Sequence, residues 1–355
     1  MQRSLPNDPR RLPSTLSMES VAREAGVSAS TVSRVLRGDP RISEATAKRV
    51  KEVTGRMGYR PNPLVSALMT QLRDGSPPAA VCNLAWLDFY ASPGEMARDP
   101  VHMAFVKGAM TRARDMGYAI DSIQVATWPR GRLKNLLRNR GIQGVLLPFF
   151  EEYQGRATNI PLPLAEFTIV GVGMRFEEPG LHYASDDQYE SGRLAVQKLW
   201  SLGYRRIGYA GDARVERIVN GRFSAGYNAT LRTELGGTAP EPFLSNDFSN
   251  IRAWIKRTKV DAIITTSRTL HLILREKGIR MPDDIGFAHL NIDDVEGGKP
   301  GQIAGVQQDG VGVGANAVEL LISLLYHNEL GIPKHPRGVE IRGTWVDGDS
   351  VKRRR

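Results

Sequence analysis

Residues 20–37 read Ser-Val-Ala-Arg-Glu-Ala-Gly-Val-Ser-Ala-Ser-Thr-Val-Ser-Arg-Val-Leu-Arg, and this stretch decides how the chain begins. Val21, Ala22 and Ala25 recur at helical spacing, and Gly26 follows where a left-handed helix end costs glycine little. The pattern predicts a helix over 18–25, capped by Ser17, and a second over 29–36, capped by Ser28, with Val32, Val35 and Leu36 turned inward. Gly38-Asp39-Pro40 breaks the second helix. Ser43 then caps a third over 44–57, whose buried face is Ala47, Val50, Val53 and Met57. Three short capped helices in about fifty residues form a helix-turn-helix domain.

The outward face of the second helix carries Ala29, Ser30, Ser33 and Arg34 without an acidic group. Short side chains let such a helix sit deep in a major groove, whereas a carboxylate there would repel phosphates. Charge points the same way. The 355 residues carry a net +10, yet residues 1–73 alone hold thirteen Lys/Arg against six Asp/Glu. Lys352 to Arg355 supply most of the remainder, so the long middle of the chain is close to neutral. A basic head on a neutral body implies a polyanion partner for the head, and double-stranded DNA fits better than a membrane surface. The head's helices lack a basic amphipathic face with aromatic anchors. The tail at 352–355 is expected to be disordered and to add only sequence-independent attraction.

Beyond the third helix, Tyr59-Arg60-Pro61-Asn62-Pro63 reads as an extended stretch, a cap, and a proline at the first helical position. Leu64, Val65, Leu68, Met69 and Leu72 then recur at helical spacing until Arg73. A helix of about ten residues is marginal alone in water and needs its apolar face covered. Two copies meeting over a minor groove would cover it, with a leucine wedged between base pairs.

From residue 81 short apolar runs alternate with amphipathic helices. Strands are expected at 81–89, 119–125, 144–149, 167–171, 206–210, 262–265 and 285–290. Helices are expected at 102–116, 131–139, 187–202, 220–235, 248–258 and 268–277. This alternation predicts parallel sheets with helices on both faces, in two lobes with a ligand crevice at the carboxyl ends of the strands. Gly310-Val-Gly312-Val-Gly314-Ala315 fits a loose dinucleotide fingerprint, but too little chain follows to complete a dinucleotide fold. It reads as a loop and helix start packed on the first lobe.

From Ser17 to Leu72 the chain resembles the head and hinge of the lactose-repressor (LacI/GalR) family of bacterial regulators. The matching words are Val-Ala-Arg-Glu-Ala-Gly-Val-Ser-Ala-Ser-Thr-Val-Ser-Arg-Val-Leu, Ile-Ser-Glu-Ala-Thr and Gly-Tyr-Arg-Pro-Asn, in the family's order and spacing. Ser-Gly-Arg-Leu-Ala at 191–195, Leu-Gly-Tyr-Arg-Arg-Ile at 202–207 and Gly-Ile-Arg-Met-Pro-Asp-Asp-Ile-Gly at 278–286 extend the resemblance through the body. The resemblance implies an N-terminal all-α helix-turn-helix domain with a hinge helix, followed by a two-lobed α/β periplasmic-binding-protein-like domain. Its boundaries would be an extension at 1–14, the head at 15–61, the hinge at 62–73, a linker at 74–80 and the effector domain at 81–351. The lobes would be 81–182 with 309–338, and 183–305 with 339–351.

By the same resemblance Ala29, Ser30 and Arg34 read bases, and Ser28, Thr31, Ser33 and Ser43 hold phosphates. Asn62, Val65 and Leu68 form the minor-groove hinge, with Leu68 prying open the central step. Effector candidates are Phe89, Phe149, Asp187, Arg222, Ser267, Asn291 and Gln308. The implied protein is a transcriptional regulator, most simply a repressor. It would bind a palindromic operator as a homodimer under the control of a small molecule such as a sugar. Cofactors, metals and enzymatic chemistry are not expected. There is no H-E-x-x-H, G-x-S-x-G, P-loop or cysteine cluster, and the six histidines are scattered singly. The single cysteine, Cys82, and the lack of an apolar leader point to the cytoplasm. A solute-binding protein, or an α/β enzyme fused to a DNA-binding module, is the alternative.

Overall fold

The computed structural model describes residues 18–36, 39, 41–57, 59, 82–90, 97–125, 131–148, 162–299 and 301–354. The expected N-terminal extension, the cap Ser17, the hinge helix with Asn62, Val65 and Leu68, the linker at 74–80, and Phe149 lie outside these residues. The chain divides into two units, 1–77 and 78–355.

In the first unit, helices α1 (Met18–Ala25), α2 (Ala29–Leu36) and α3 (Glu44–Met57) occupy the ranges the capping pattern predicts. Val21, Ala22, Ala25, Val32, Val35, Val50 and Val53 close a small core, with Ala47 and Met57 only part-buried at its edge. Gly26 adopts φ +62° and turns α1 into α2. There the missing Cβ matters, because other residues pay a steric cost in that region. Ser28 Oγ accepts the Thr31 N–H at 3.2 Å, so the second helix starts where a hydroxyl can satisfy its open donor. Glu24 and Arg56 tie α1 to α3 at 2.6 Å on the surface.

The second unit holds two six-stranded sheets. The first contains β1 (Cys82–Asp88), β2 (Tyr118–Gln124), β3 (Gly144–Pro148), β4 (Thr168–Val172), β5 (His182–Asp186) and β11 (Gly338–Ile341), in the order β11-β5-β4-β3-β1-β2, all parallel. The second contains β6 (Ile207–Asp212), β7 (Phe243–Ser245), β8 (Ala262–Thr265), β9 (Gly286–His289), β10 (Ala304–Gln307) and β12 (Thr344–Val346), in the order β12-β10-β9-β8-β6-β7. Only β12 runs antiparallel, on β10. Helices α4 (Pro100–Asp115), α5 (Arg132–Asn139) and α11 (Gly310–Tyr326) belong to the first lobe. Helices α6 (Gln188–Ser201), α7 (Ala213–Ile218), α8 (Arg222–Ala229), α9 (Ile251–Thr258) and α10 (Leu270–Glu276) belong to the second. Central strands such as β3 and β4 are buried at every position, as expected when helices cover both faces.

The chain passes between sheets after β5, after β10, and between β11 and β12. The boundaries expected near 183 and 339 therefore fall a few residues early, because β5 and β11 add to the first sheet before the chain leaves it. Strands β5, β7, β10, β11 and β12 and helix α7 have no counterpart in the sequence expectation. The helix expected over 220–235 is α8 followed by a π turn at Thr230–Glu234.

Gly310–Ala315 is the first turn of α11, capped by Asp309 Oδ1 on the Gly312 N–H at 2.8 Å. Gly314 lets that helix press onto α4: a Cβ there would sit 2.0 Å from the Phe105 carbonyl oxygen. The glycines serve helix packing. The tail corrects another expectation, since Lys352–Arg354 is docked. The Arg354 N–H donates to the Leu202 carbonyl at 2.7 Å, its guanidinium lies over the Tyr204 ring at 5.0 Å, and Lys352 pairs with Asp283 at 2.8 Å. The nearby carboxylates and ring anchor it locally.

Candidate functional site

On the first unit the functional candidates gather at the start of α2. Ser28 Oγ lies 2.8 Å from Ser30 Oγ and 2.9 Å from Thr31 Oγ1, a hydroxyl cluster at the positive end of the helix. Ser30 and Arg34 are exposed, and Ala29, Thr31 and Ser33 half-buried. Among the described residues Arg34 has no hydrogen-bond partner. The nearest carboxylate that acts on it, Asp39, is engaged by Arg41 Nε and Nη2 at 2.9 and 2.8 Å, which holds Asp39 down to about 2. Ser43 caps α3, with its Oγ 2.9 Å from Thr46 Oγ1. The face thus presents hydroxyls, open helix N–H groups and an unengaged guanidinium, the groups that bind phosphate and guanine edges.

In the second unit a cavity of about 850 Å³ opens between the two sheets, at the carboxyl ends of their strands. Asn291 and Gln308 line it as expected. The other described candidates do not. Phe89 is in the core of the first lobe, and its neighbour Tyr90 lines the cavity. Asp187 caps α6 by accepting the Glu190 N–H at 2.9 Å, while Asp186 and Gln188 on either side reach the cavity. Ser267 is 3% exposed and its N–H donates to Thr265 Oγ1, while Thr266 and Arg268 line the wall. These near misses share one cause: along extended chain adjacent side chains point to opposite faces. Arg222 instead pairs with Glu340 at 2.7 Å in a small adjoining recess with Arg175 and Tyr183. Arg214, at the unforeseen helix α7, brings a guanidinium to the cavity instead.

Several groups of the wall escape sequence reasoning. Asp99 caps α4 through Oδ1, which accepts the Val101 and His102 N–H groups at 3.0 Å, and its Oδ2 accepts from Tyr90 Oη at 2.5 Å. The Asp99-Pro100 pair before an amphipathic run was a readable signal for that helix start. His102 stacks edge-on against Tyr90 and Trp86, and burial lowers its pKa, with Asp88 and Asp99 opposing. His289 is buried, accepts the Asn291 N–H on Nδ1 at 3.0 Å, and is pulled down to about 4 by burial. Asp294 pairs with Arg268 at 3.1 Å. Burial pushes Asp294 up to about 6; Arg268 opposes this, and Asp99 across the cleft adds to it. Burial, with Asp309 adding, pushes Asp186 up to about 7. The cavity therefore combines aromatic faces, planar polar groups and charges of both signs, which suits a small polar ligand. Among the described residues no group of His, Cys, Asp and Glu converges to hold a metal ion, and no helix is long and apolar enough to cross a membrane.

Comparison with known proteins bears on both regions. Residues 17–62 match the family described as bacterial regulatory proteins, lacI family, and residues 196–351 match the periplasmic binding protein-like domain. The HTH-type transcriptional regulator CelR of Thermobifida fusca is 27% identical over 291 residues, covering 76% of this chain and 79% of that protein. A solved transcriptional regulator CelR–cellobiose complex aligns with a TM-score of 0.58 at 22% identity, over 94% of this chain and 99% of that one. The lac repressor dimer bound to operator and an anti-inducer aligns with a TM-score of 0.54 at 16% identity, over 95% and 99% of the two chains.

Proposed function

The chain belongs to the lacI family of bacterial regulatory proteins, as a transcriptional regulator with a DNA-binding domain and a sugar-binding-like domain, and we propose that it represses transcription under the control of a small molecule. It binds a near-palindromic operator as a homodimer in the cytoplasm. One head reads too few bases for specificity, so two half-sites are needed. The observation that carries this reading is the acid-free face of α2, where exposed Ser30 and Arg34 stand beside the hydroxyl cluster of Ser28 and Thr31. Ala29, Ser30 and Arg34 contact bases, with Arg34 bidentate to a guanine. Ser28, Thr31, Ser33 and Ser43 contact phosphates.

The effector, a sugar or sugar derivative, occupies the cleft between the two sheets of the second unit. The size of the cavity and its mixture of rings and planar polar groups support this. Effector binding changes the angle between the lobes, and so decides whether two hinge segments at 62–73 meet over the minor groove, with Leu68 wedged into the central step.

Gel-shift titration of the full-length protein against genomic fragments, with and without candidate sugars, tests the reading. We expect one or a few fragments to be retained at low nanomolar to micromolar protein and released, or gripped harder, by one class of sugar. Retention that is equal for all fragments and indifferent to every small molecule would sink it. Turnover of the small molecule would favour an enzyme fused to a DNA-binding module.

A further inference from the structure

The cavity wall holds polar atoms that the fold itself leaves unsatisfied. Asp186, the last residue of β5, is 4% exposed and lines the cavity, and its Oδ1 has no hydrogen-bond partner. On the opposite lobe Asn291 also lines the cavity, and its Oδ1 is likewise without a partner. Buried acceptors in native folds are nearly always satisfied, so a pair of them facing one cavity from two lobes calls for a partner from outside the chain. Next to Asp186, Asp187 has a structural task as the cap of α6. Asp186 has none of that kind.

The surroundings narrow the chemistry. Phe105, Phe223 and Met174 give the cavity apolar surface against which a sugar ring can lie. Of the arginines, Arg268 is tied to Asp294, while Arg98 and Arg214 are exposed. The deeply buried charge in the wall is the Asp186 carboxyl, which would repel an anion. A hydroxyl both donates and accepts, and so satisfies that carboxyl whether or not it carries a proton.

From this we infer that Asp186 is a ligand-binding and specificity-determining residue of the cleft, and that the ligand is a neutral polyhydroxylated molecule placing one hydroxyl on Asp186 and another on Asn291. The inference rests on the reading of the cleft as the effector site. One molecule bonded to both lobes favours their approach, which ties recognition at Asp186 to closure.

The test is calorimetric titration of the full-length wild type, Asp186→Asn and Asp186→Ala. The neutral probes are glucose, galactose, maltose and cellobiose, and the anionic probes gluconate and glucose 6-phosphate. Melting temperatures are recorded without ligand. At least one neutral probe should bind the wild type, and Asp186→Ala should weaken it about tenfold or more, the loss expected for a hydrogen bond to a charged group. Asp186→Asn keeps the volume and one acceptor oxygen, and should fall between the two. Both variants should melt at or above the wild type, because a residue kept for a ligand costs the empty protein stability. A merely structural Asp186 would lower the melting temperature on replacement, and that result overturns the inference. So does unchanged affinity of the neutral probe in both variants, even if that probe still releases operator, in which case the effector reading stands alone. Binding of the anionic probes only also rejects the inference and spares that reading. Binding of none of the six, with operator retention unmoved, removes both.

Discussion

Arg34 offers a direct residue-level test of DNA recognition. Its guanidinium is exposed on α2, and the carboxylate beside it is already held by Arg41. Replacing Arg34 with Ala should cost about 1–3 kcal/mol of operator binding and relax one position of each half-site, read by binding to a set of single-base operator variants. Equal discrimination at every position in the variant would remove Arg34 from base reading. In the cleft, two buried groups titrate in opposite senses. Burial raises Asp186 to about 7, so the folded protein keeps a proton that the unfolded chain releases from about pH 4 upward. Its contribution to stability is whole below that range and declines as the pH rises to about 7. Burial lowers His289 to about 4, so its contribution is whole above the ordinary histidine range and is lost as the pH falls toward 4. Asp309 at the head of α11 is the charge that reinforces the Asp186 shift, so the two carboxyls need to be read together. Melting curves between pH 4 and 8 should show the Asp186→Asn protein gaining on the wild type as the pH rises, then running parallel above about 7. A constant difference across that range would show that Asp186 titrates like an ordinary carboxyl.

Elements of this chain differ in how openly they announce themselves, and the reason is local sufficiency. Helices α1, α2 and α3 follow from a hydroxyl or glycine at each end and apolar residues at helical spacing between, all within one short window. Replacing Ser28 with Ala should therefore cost the head about 1 kcal/mol, seen as a lower head melting temperature with the body transition unmoved. Strands β5, His-Tyr-Ala-Ser-Asp, and β10, Ala-Gly-Val-Gln, carry polar or small residues, and become strands because neighbours on both sides complete their hydrogen bonds. No local period encodes that. The cleft was legible to within one residue at three places, where Phe89, Asp187 and Ser267 flank the side chains that line it, because a strand's alternation is visible but which face meets the ligand is not. Arg222 was misplaced for another reason: its partner Glu340 lies far along the chain, on a strand that the pattern did not reveal. The interface between α4 and α11 shows long-range fit most sharply. Gly314→Ala would improve intrinsic helix propensity by about 1 kcal/mol, yet its Cβ would meet the Phe105 carbonyl at 2.0 Å. Overpacking against backbone wins, and the variant should lose about 1–3 kcal/mol in urea unfolding.

For the whole molecule, the decisive property is coupling between a basic head and a ligand-sized cleft. If a sugar weakens operator binding by some factor, operator DNA must weaken sugar binding by the same factor, because both describe one thermodynamic cycle. Calorimetry of sugar binding with and without operator, beside gel shifts with and without sugar, should give matching ratios; unequal ratios would mean that a further state or partner takes part. Operator binding should also fall steeply with added salt, since the charge excess sits in the head. The body adds a topological constraint of its own. Its polypeptide threads from one sheet to the other three times, and the Asp187 N–H donates to the Ile341 carbonyl at 2.9 Å beside those passages. A protease that nicks any single surface loop of either half leaves the halves joined by uncut strings. Such a clipped protein should run as fragments in denaturant yet travel as one particle in native buffer, and neither lobe should be obtainable alone by trimming.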